Sequence, residues 1–208
     1  PVPPAGAPFQ DAAAAPDRLD ALVQEYDRAQ QAYVDRIRAA RTEDERAEAY
    51  AARPGPRFLP LFEALAQEIA GSDAAVRARV WVFRLAQEAG DLERARATLD
   101  RLVTESIGSP ALADLPDELL YVYRLGEATC RRALETMMDG SPHERVRAAA
   151  TVNLGALLMG SEPERAKALF VRAIEEFDDA AGPHAERARG NLFELEHLQP
   201  GMIAPDIE

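Results

Sequence analysis

Residues 144–177 read ERVRAAATVNLGALLMGSEPERAKALFVRAIEEF, and this stretch decides the fold. It divides at Ser161-Glu162-Pro163-Glu164, where a polar residue, a proline and an acidic residue form the usual opening of a helix. Before the break runs an alanine-rich helix carrying Asn153-Leu154-Gly155. After it, Ala166, Phe170 and Ala173 fall at spacings of four and three on one face of a second helix. Twenty residues upstream, Ser141-Pro142-His143-Glu144 repeats the same opening, with Ser141 expected as N-cap and Pro142 at the first helical position.

Working outward, the pattern stays helical. Asp17 to about Ala40 places Leu19, Leu22, Tyr26, Ala29, Tyr33 and Ile37 on one stripe. Thr42-Glu43-Asp44-Glu45 is a capping box that opens a short helix ending near Arg53-Pro54. Helices are expected over about Pro56–Ala70, from Ser72 or Asp73 to the Gly90-Asp91 turn, and from Leu92 to about Thr104. Glu105–Pro116 reads as a loop and Asp117–Met138 as one long helix. A last helix is expected from about Pro183 to His197. No alternating β-branched run longer than four residues precedes Leu198, so the class is all-α with no β-sheet.

The pair 144–177 has a partner at Ala74–Val103, again two helices across a tight turn, with Ala95 and Leu99 inward on the second. The two units resemble tetratricopeptide repeats, in which small residues let antiparallel helices pack closely. The resemblance is partial, because the first unit lacks the small mid-helix residue, and it implies irregular stacked antiparallel hairpins.

Composition narrows the chemistry. The chain has 208 residues and a formal net charge of −12. An acidic protein of this kind is a poor ligand for nucleic acid or an anionic membrane face. The single cysteine, Cys130, rules out a disulfide within the chain and any C-x-x-C motif in these residues. No apolar run nears the roughly 20 residues that span a bilayer, so no membrane insertion is expected. Cys130 reads either as a thiol activated by Arg131 and Arg132 or as a small hydrophobe on a helix flank, and the second reading is preferred. His143, His184 and His197 share no spacing that sets two on one helical face, so no metal is expected. Glu43-Asp44-Glu45 and Glu175-Glu176 with Asp178-Asp179 read as solvated helix-end charge rather than paired catalytic carboxylates. No serine elbow or phosphate loop is present, and no cofactor is implied. Trp81, Tyr121 and Tyr123 are the candidate partner-binding residues. Trp81 reads more readily as core, while Tyr121 and Tyr123 point to different sides of their helix.

The two ends differ from the body. Pro1–Pro16, rich in Pro, Ala and Gly, is expected to be a flexible lead-in to a helical domain over 17–197. At the other end, Leu198-Gln199-Pro200-Gly201-Met202-Ile203-Ala204-Pro205-Asp206-Ile207-Glu208 breaks from helical periodicity. This segment resembles the entry to a redoxin domain, the thioredoxin-like group that includes TlpA-like and AhpC/TSA-type proteins. There, L-x-x-G-x-x-A-P-x-[IF] precedes the first strands, and Leu198, Gly201, Ala204, Pro205 and Ile207 fit it. The preceding LFELEHL, the long first helix, AAVRARVW at 74–81 and the cap at Ser141 resemble the helical regions that exported, planctomycete-like bacterial proteins carry before such a domain.

The resemblance implies a non-catalytic helical accessory domain of a thiol–disulfide oxidoreductase or peroxidase-like protein. Residues 198–208 would then be the linker into its thioredoxin-like domain. Neither a W-C-x-x-C nor a peroxidatic cysteine lies in these residues, so no catalytic role is carried over. The implied partners are a protein or peptide client, or the thioredoxin-like domain itself, and the implied location is outside the cytoplasm. The alternative is a freestanding tetratricopeptide-like adaptor. An enzyme using Cys130 or its carboxylates is the third and least supported reading.

Overall fold

A computed structural model describes residues 15–120 and 125–198, with backbone alone at 178–181. The lead-in 1–14, the candidates Tyr121 and Tyr123, and the redoxin-like segment beyond Leu198 lie outside the described residues. Among those described every regular element is a helix, each packing mainly on neighbours in sequence, as the periodicity requires. They fall into two compact units divided between Thr98 and Leu99, within one helix.

In the first unit, α1 (Ala15–Ala39) buries Ala15, Leu19 and Tyr26. The capping box forms as expected ahead of α2 (Glu43–Ala51). Thr42 Oγ1 accepts from the Glu45 amide at 3.2 Å, and the Glu45 carboxylate accepts from the amides of Thr42 and Arg41 at 3.1 and 2.7 Å. These bonds satisfy amides that a helix start would leave without partners, and they hold the Glu45 pKa below its ordinary value. Next comes α3 (Gly55–Glu68), whose Phe58, Leu59, Phe62, Leu65 and Ala66 are buried. It packs on α4 (Asp73–Ala89), which Ser72 caps by accepting from the Ala75 amide at 3.1 Å. Gly90, at φ 78°, ends α4 in the left-handed conformation that glycine adopts without strain. The chain enters α5 (Leu92–Glu105), where Asp91 Oδ1 accepts from the Arg94 amide at 3.1 Å.

In the second unit, the loop expected over Glu105–Pro116 holds a 3₁₀ turn, Pro110–Asp114, capped by Ser109. It continues into the four-residue α6 (Leu115–Glu118). The long helix expected over Asp117–Met138 is therefore interrupted: α6 ends at Glu118 and α7 (Glu127–Gly140) starts only after Gly126. Gly126 has φ 87°, outside the right-handed helical region, so the apolar period runs on while the helix does not. The opening of α8 (Glu144–Leu158) is also displaced. Ser141 Oγ accepts from the His143 amide at 3.3 Å in a local turn, and His143 rather than Ser141 stands at the N-cap. Pro163 does take the first position of α9 (Pro163–Ala181), and α10 (Pro183–His197) has its expected bounds.

Helix α8 is the centre of this unit, touching α6, α7, α9, α10 and the 3₁₀ turn. Its residues are buried almost all round, from Val146 through Leu158, as a helix without a solvated face must be. Close approach of α9 depends on Gly155, where an added Cβ would lie 2.6 Å from Phe170 Cε1.

Candidate functional site

The first unit holds an aromatic cluster contributed by α1, α3 and α4, in which Tyr26, Phe58 and Phe62 are buried and Trp81 reaches the surface. Trp81, partly exposed, lies parallel to Phe62 with centroids 5.1 Å apart and planes 6° apart. Tyr26 meets Trp81 and Phe58 edge-on, at 5.1 and 5.4 Å. One helical turn beyond Trp81, the Arg84 guanidinium lies over the indole ring at 4.4 Å, an attraction between cation and π-face. The helical spacing explains the placement: positions 81, 84 and 88 of α4 follow one another on one face, so Trp81, Arg84 and Glu88 line up along it.

Tyr26 donates its hydroxyl hydrogen to Glu88 Oε2 at 3.4 Å. Burial, together with the charge of Glu88, pushes the Tyr26 pKa up to about 12. Glu88 also lines a cleft of about 170 Å³, with Gln30 and Tyr33 of α1 and Arg53-Pro54-Gly55-Pro56 ahead of and opening α3. That volume is below the range of pockets that hold drug-sized ligands. A wider, open cleft of about 490 Å³ lies at the elbow of α1 and α2, floored by Ala39, Ala40 and Ala49 and edged by Arg36, Arg41, Glu45 and Glu48. Trp81 thus belongs partly to the packed cluster and partly to the surface.

The second unit holds a polar cluster between α6, α8 and α10. Fully buried Asn153 donates from Nδ2 to Asp117 Oδ1 at 3.0 Å and to the Ala149 carbonyl at 2.8 Å. Arg187 donates to the same Asp117 oxygen from Nη1 and Nη2, each at 3.1 Å. His184 Nδ1 lies 3.0 Å from Arg187 Nη2, which makes it the acceptor and sets the tautomer with its proton on Nε2. Burial lowers the pKa of His184, partly offset by Asp117, while Arg187 and Arg145 lower it further.

The other sequence candidates lie apart. Cys130 is buried in α7, and burial pushes its thiol pKa up, the direction opposite to activation. Its neighbour Arg131 is directed instead to Glu135 at 3.1 Å and to Glu162. Arg165 closes that ring of alternating charge at 2.8 Å from Glu135 and 3.4 Å from Glu162. His143 Nε2 reaches the Gly108 carbonyl at 2.8 Å, and His197 lies against Phe193 at 4.7 Å between ring centroids. No group of three metal-ligating side chains occurs among the described residues. Glu176 accepts from Arg172 one turn away at 2.8 Å, and Glu43 and Asp44 are exposed in the first turn of α2. Among the described residues no helix is long and apolar enough to cross a membrane.

Sequence reading placed Tyr26 on the inward stripe of α1 but not against Trp81, since no spacing rule joins residues so far apart. Asn153 and Asp117 were both visible, yet nothing in their spacing announces the bond between them. No family model matches the chain, and neither a curated protein nor a solved structure resembles it closely enough to establish kinship.

Proposed function

We propose that this chain is a partner-docking helical domain with no catalysis of its own, the accessory region of a redoxin-like thiol–disulfide oxidoreductase acting outside the cytoplasm. The observation that carries the docking role is Trp81. Phe62 and Tyr26 fix its ring, Arg84 lies over it, and it remains partly exposed. A side chain immobilised in this way loses little entropy when a partner covers it. Irregular tetratricopeptide-like hairpins supply the scaffold, in keeping with the close Gly155–Phe170 approach of α8 and α9. The redoxin assignment rests on Gly201-x-x-Ala204-Pro205-Asp206-Ile207 following Leu198.

Trp81 is the only tryptophan, so its emission reports on whatever covers it. Titration with a tryptophan-free, reduced and unfolded peptide is expected to shift that emission saturably, and Arg84→Ala is expected to weaken the effect. Insulin reduction by dithiothreitol is expected to proceed no faster with the chain present. Thiol-dependent turnover by the chain alone would overturn the non-catalytic reading, and an emission that no peptide alters would overturn the docking site.

A further inference from the structure

Helix α10 packs on α9 and α8 with a light apolar anchor: Ala185 and Ala188 are buried, and Leu192 and Leu195 only partly so. Its far end is tied to α9 by Lys167, 2.6 Å from Glu196. Its first turns are tied to α6 and α8 by polar bonds that meet at one atom. Asp117 Oδ1 accepts from Asn153 Nδ2 at 3.0 Å and from Arg187 Nη1 and Nη2, each at 3.1 Å, so its lone pairs are fully used. Arg187 Nη2 also donates to His184 Nδ1 at 3.0 Å, a bond that exists only while that nitrogen carries no proton. The cluster is incompletely satisfied, because Asn153 Oδ1 and Arg187 Nε are buried with no hydrogen-bond partner among the described residues. Such atoms cost free energy while the cluster is closed, and water satisfies them when it opens.

We propose that His184 is an acid-sensitive pin: protonation of its Nδ1 frees the first turns of α10 from α6 and α8 while the rest of the unit stays folded. A protonated Nδ1 can only donate, so Arg187 Nη2 loses its acceptor and two cations stand 3.0 Å apart. The imidazolium, 3.8 Å from Asp117 Oδ1, then competes with Arg187 for an oxygen that already accepts three bonds. Arg187, with its Nε unsatisfied where it lies, is the group that leaves for water. Among the described residues the charged groups facing His184 are Asp117 of α6, Arg145 of α8 and Arg187 of its own helix. Burial first, and then these two arginines, outweigh Asp117 and hold the His184 pKa below its ordinary 6.5, so the proton binds the opened state better than the closed one. A segment anchored by two buried alanines has the low apolar burial from which local openings are drawn.

Hydrogen–deuterium exchange of the full chain tests the pin, read at about pH 7.5 and pH 5.5 as protection corrected for the intrinsic exchange rate. At the lower pH the Glu135 and Glu162 carboxyls, both held below 4.5, are still ionised. The amides of residues 187–191 are expected to lose protection in acid by up to about tenfold, the limit for one proton taken up by an open state whose pKa lies one unit above that pH. The amides of α4 and α8 are expected to keep theirs. His184→Asn should remove the acid loss. Arg187→Gln should show reduced protection of α10 already at pH 7.5 and no further loss in acid, because the imidazolium then has Asp117 to itself. Equal protection of α10 at both pH values in the unaltered chain would overturn the proposal. So would an acid loss that survives in His184→Asn, or one shared equally by α4 and α8.

Discussion

Phe170 of α9 lies so close over Gly155 of α8 that a Cβ at Gly155 would stand 2.6 Å from Phe170 Cε1. Both residues are buried, and Phe170 is 0% exposed, so its ring has nowhere to retreat. Alanine at 155 would gain about 1 kcal/mol of helix propensity. It would also overpack a filled interior, at a cost of about 1–3 kcal/mol. Gly155→Ala is therefore expected to destabilise the fold in urea unfolding. Adding Phe170→Leu should recover part of the loss, giving a favourable coupling in a double-mutant cycle. Equal or greater stability of Gly155→Ala would contradict this account of helix packing.

The glycines of α4 and α10 predict opposite signs. Gly90 holds φ 78°, a conformation that costs an L-residue about 1–2 kcal/mol, so Gly90→Ala should lower stability by about that amount. Gly190 has ordinary helical geometry and open space, and Gly190→Ala should raise stability by up to about 1 kcal/mol. Thermal unfolding of both variants measures the contrast.

Titrations at His184, at the Glu135 and Glu162 carboxyls and at Tyr26 shape the stability profile. Burial holds the folded-state pKa of His184 below its ordinary 6.5, so the unfolded chain takes up a proton there first. The contribution is fully present above pH 6.5 and is lost as pH falls through the range below it. His184→Asn, which keeps an acceptor for Arg187, should flatten that portion of the curve. The carboxyls of Glu135 and Glu162, held low first by hydrogen bonds from Arg165 and Arg131, add a second loss beginning near 4.5. At the alkaline end the sign reverses. Tyr26 is pushed up to about 12, so the unfolded chain ionises first and stability declines from pH 10 upward. Ultraviolet titration of the native protein should show a late tyrosinate component near 12 that Tyr26→Phe removes.

Trp81 and Cys130 separate docking from catalysis. Trp81→Ala should cost about 3 kcal/mol, the low end for deleting a packed aromatic, because the ring is only partly buried. Cys130 should resist a soluble disulfide reagent at neutral pH until the chain unfolds, since its thiol is buried and its pKa raised. Prompt reaction of the folded protein would restore the enzymatic alternative.

Local signals explain what was legible. The bounds of α2, α4 and α10 follow from Thr42, Ser72, Gly90 and Pro183, each of which acts on backbone groups within a few residues. Gly126 shows where such reading stops. It breaks a helix, whereas Gly155 and Gly190 sit inside theirs, and only the backbone angle distinguishes the three. The aromatic cluster was half legible for a related reason. Tyr26 lies on a predicted apolar stripe and Trp81 reads as core, but the meeting of the two depends on how α1 lies against α4.

The most direct test of the proposed role is the coding sequence immediately beyond Glu208. The account predicts an open frame that continues through a strand-rich stretch to W-C-x-x-C or a peroxidatic cysteine, making these helices the docking region of a redoxin. A stop codon directly after Glu208 would contradict it, and the freestanding adaptor would then be the better description.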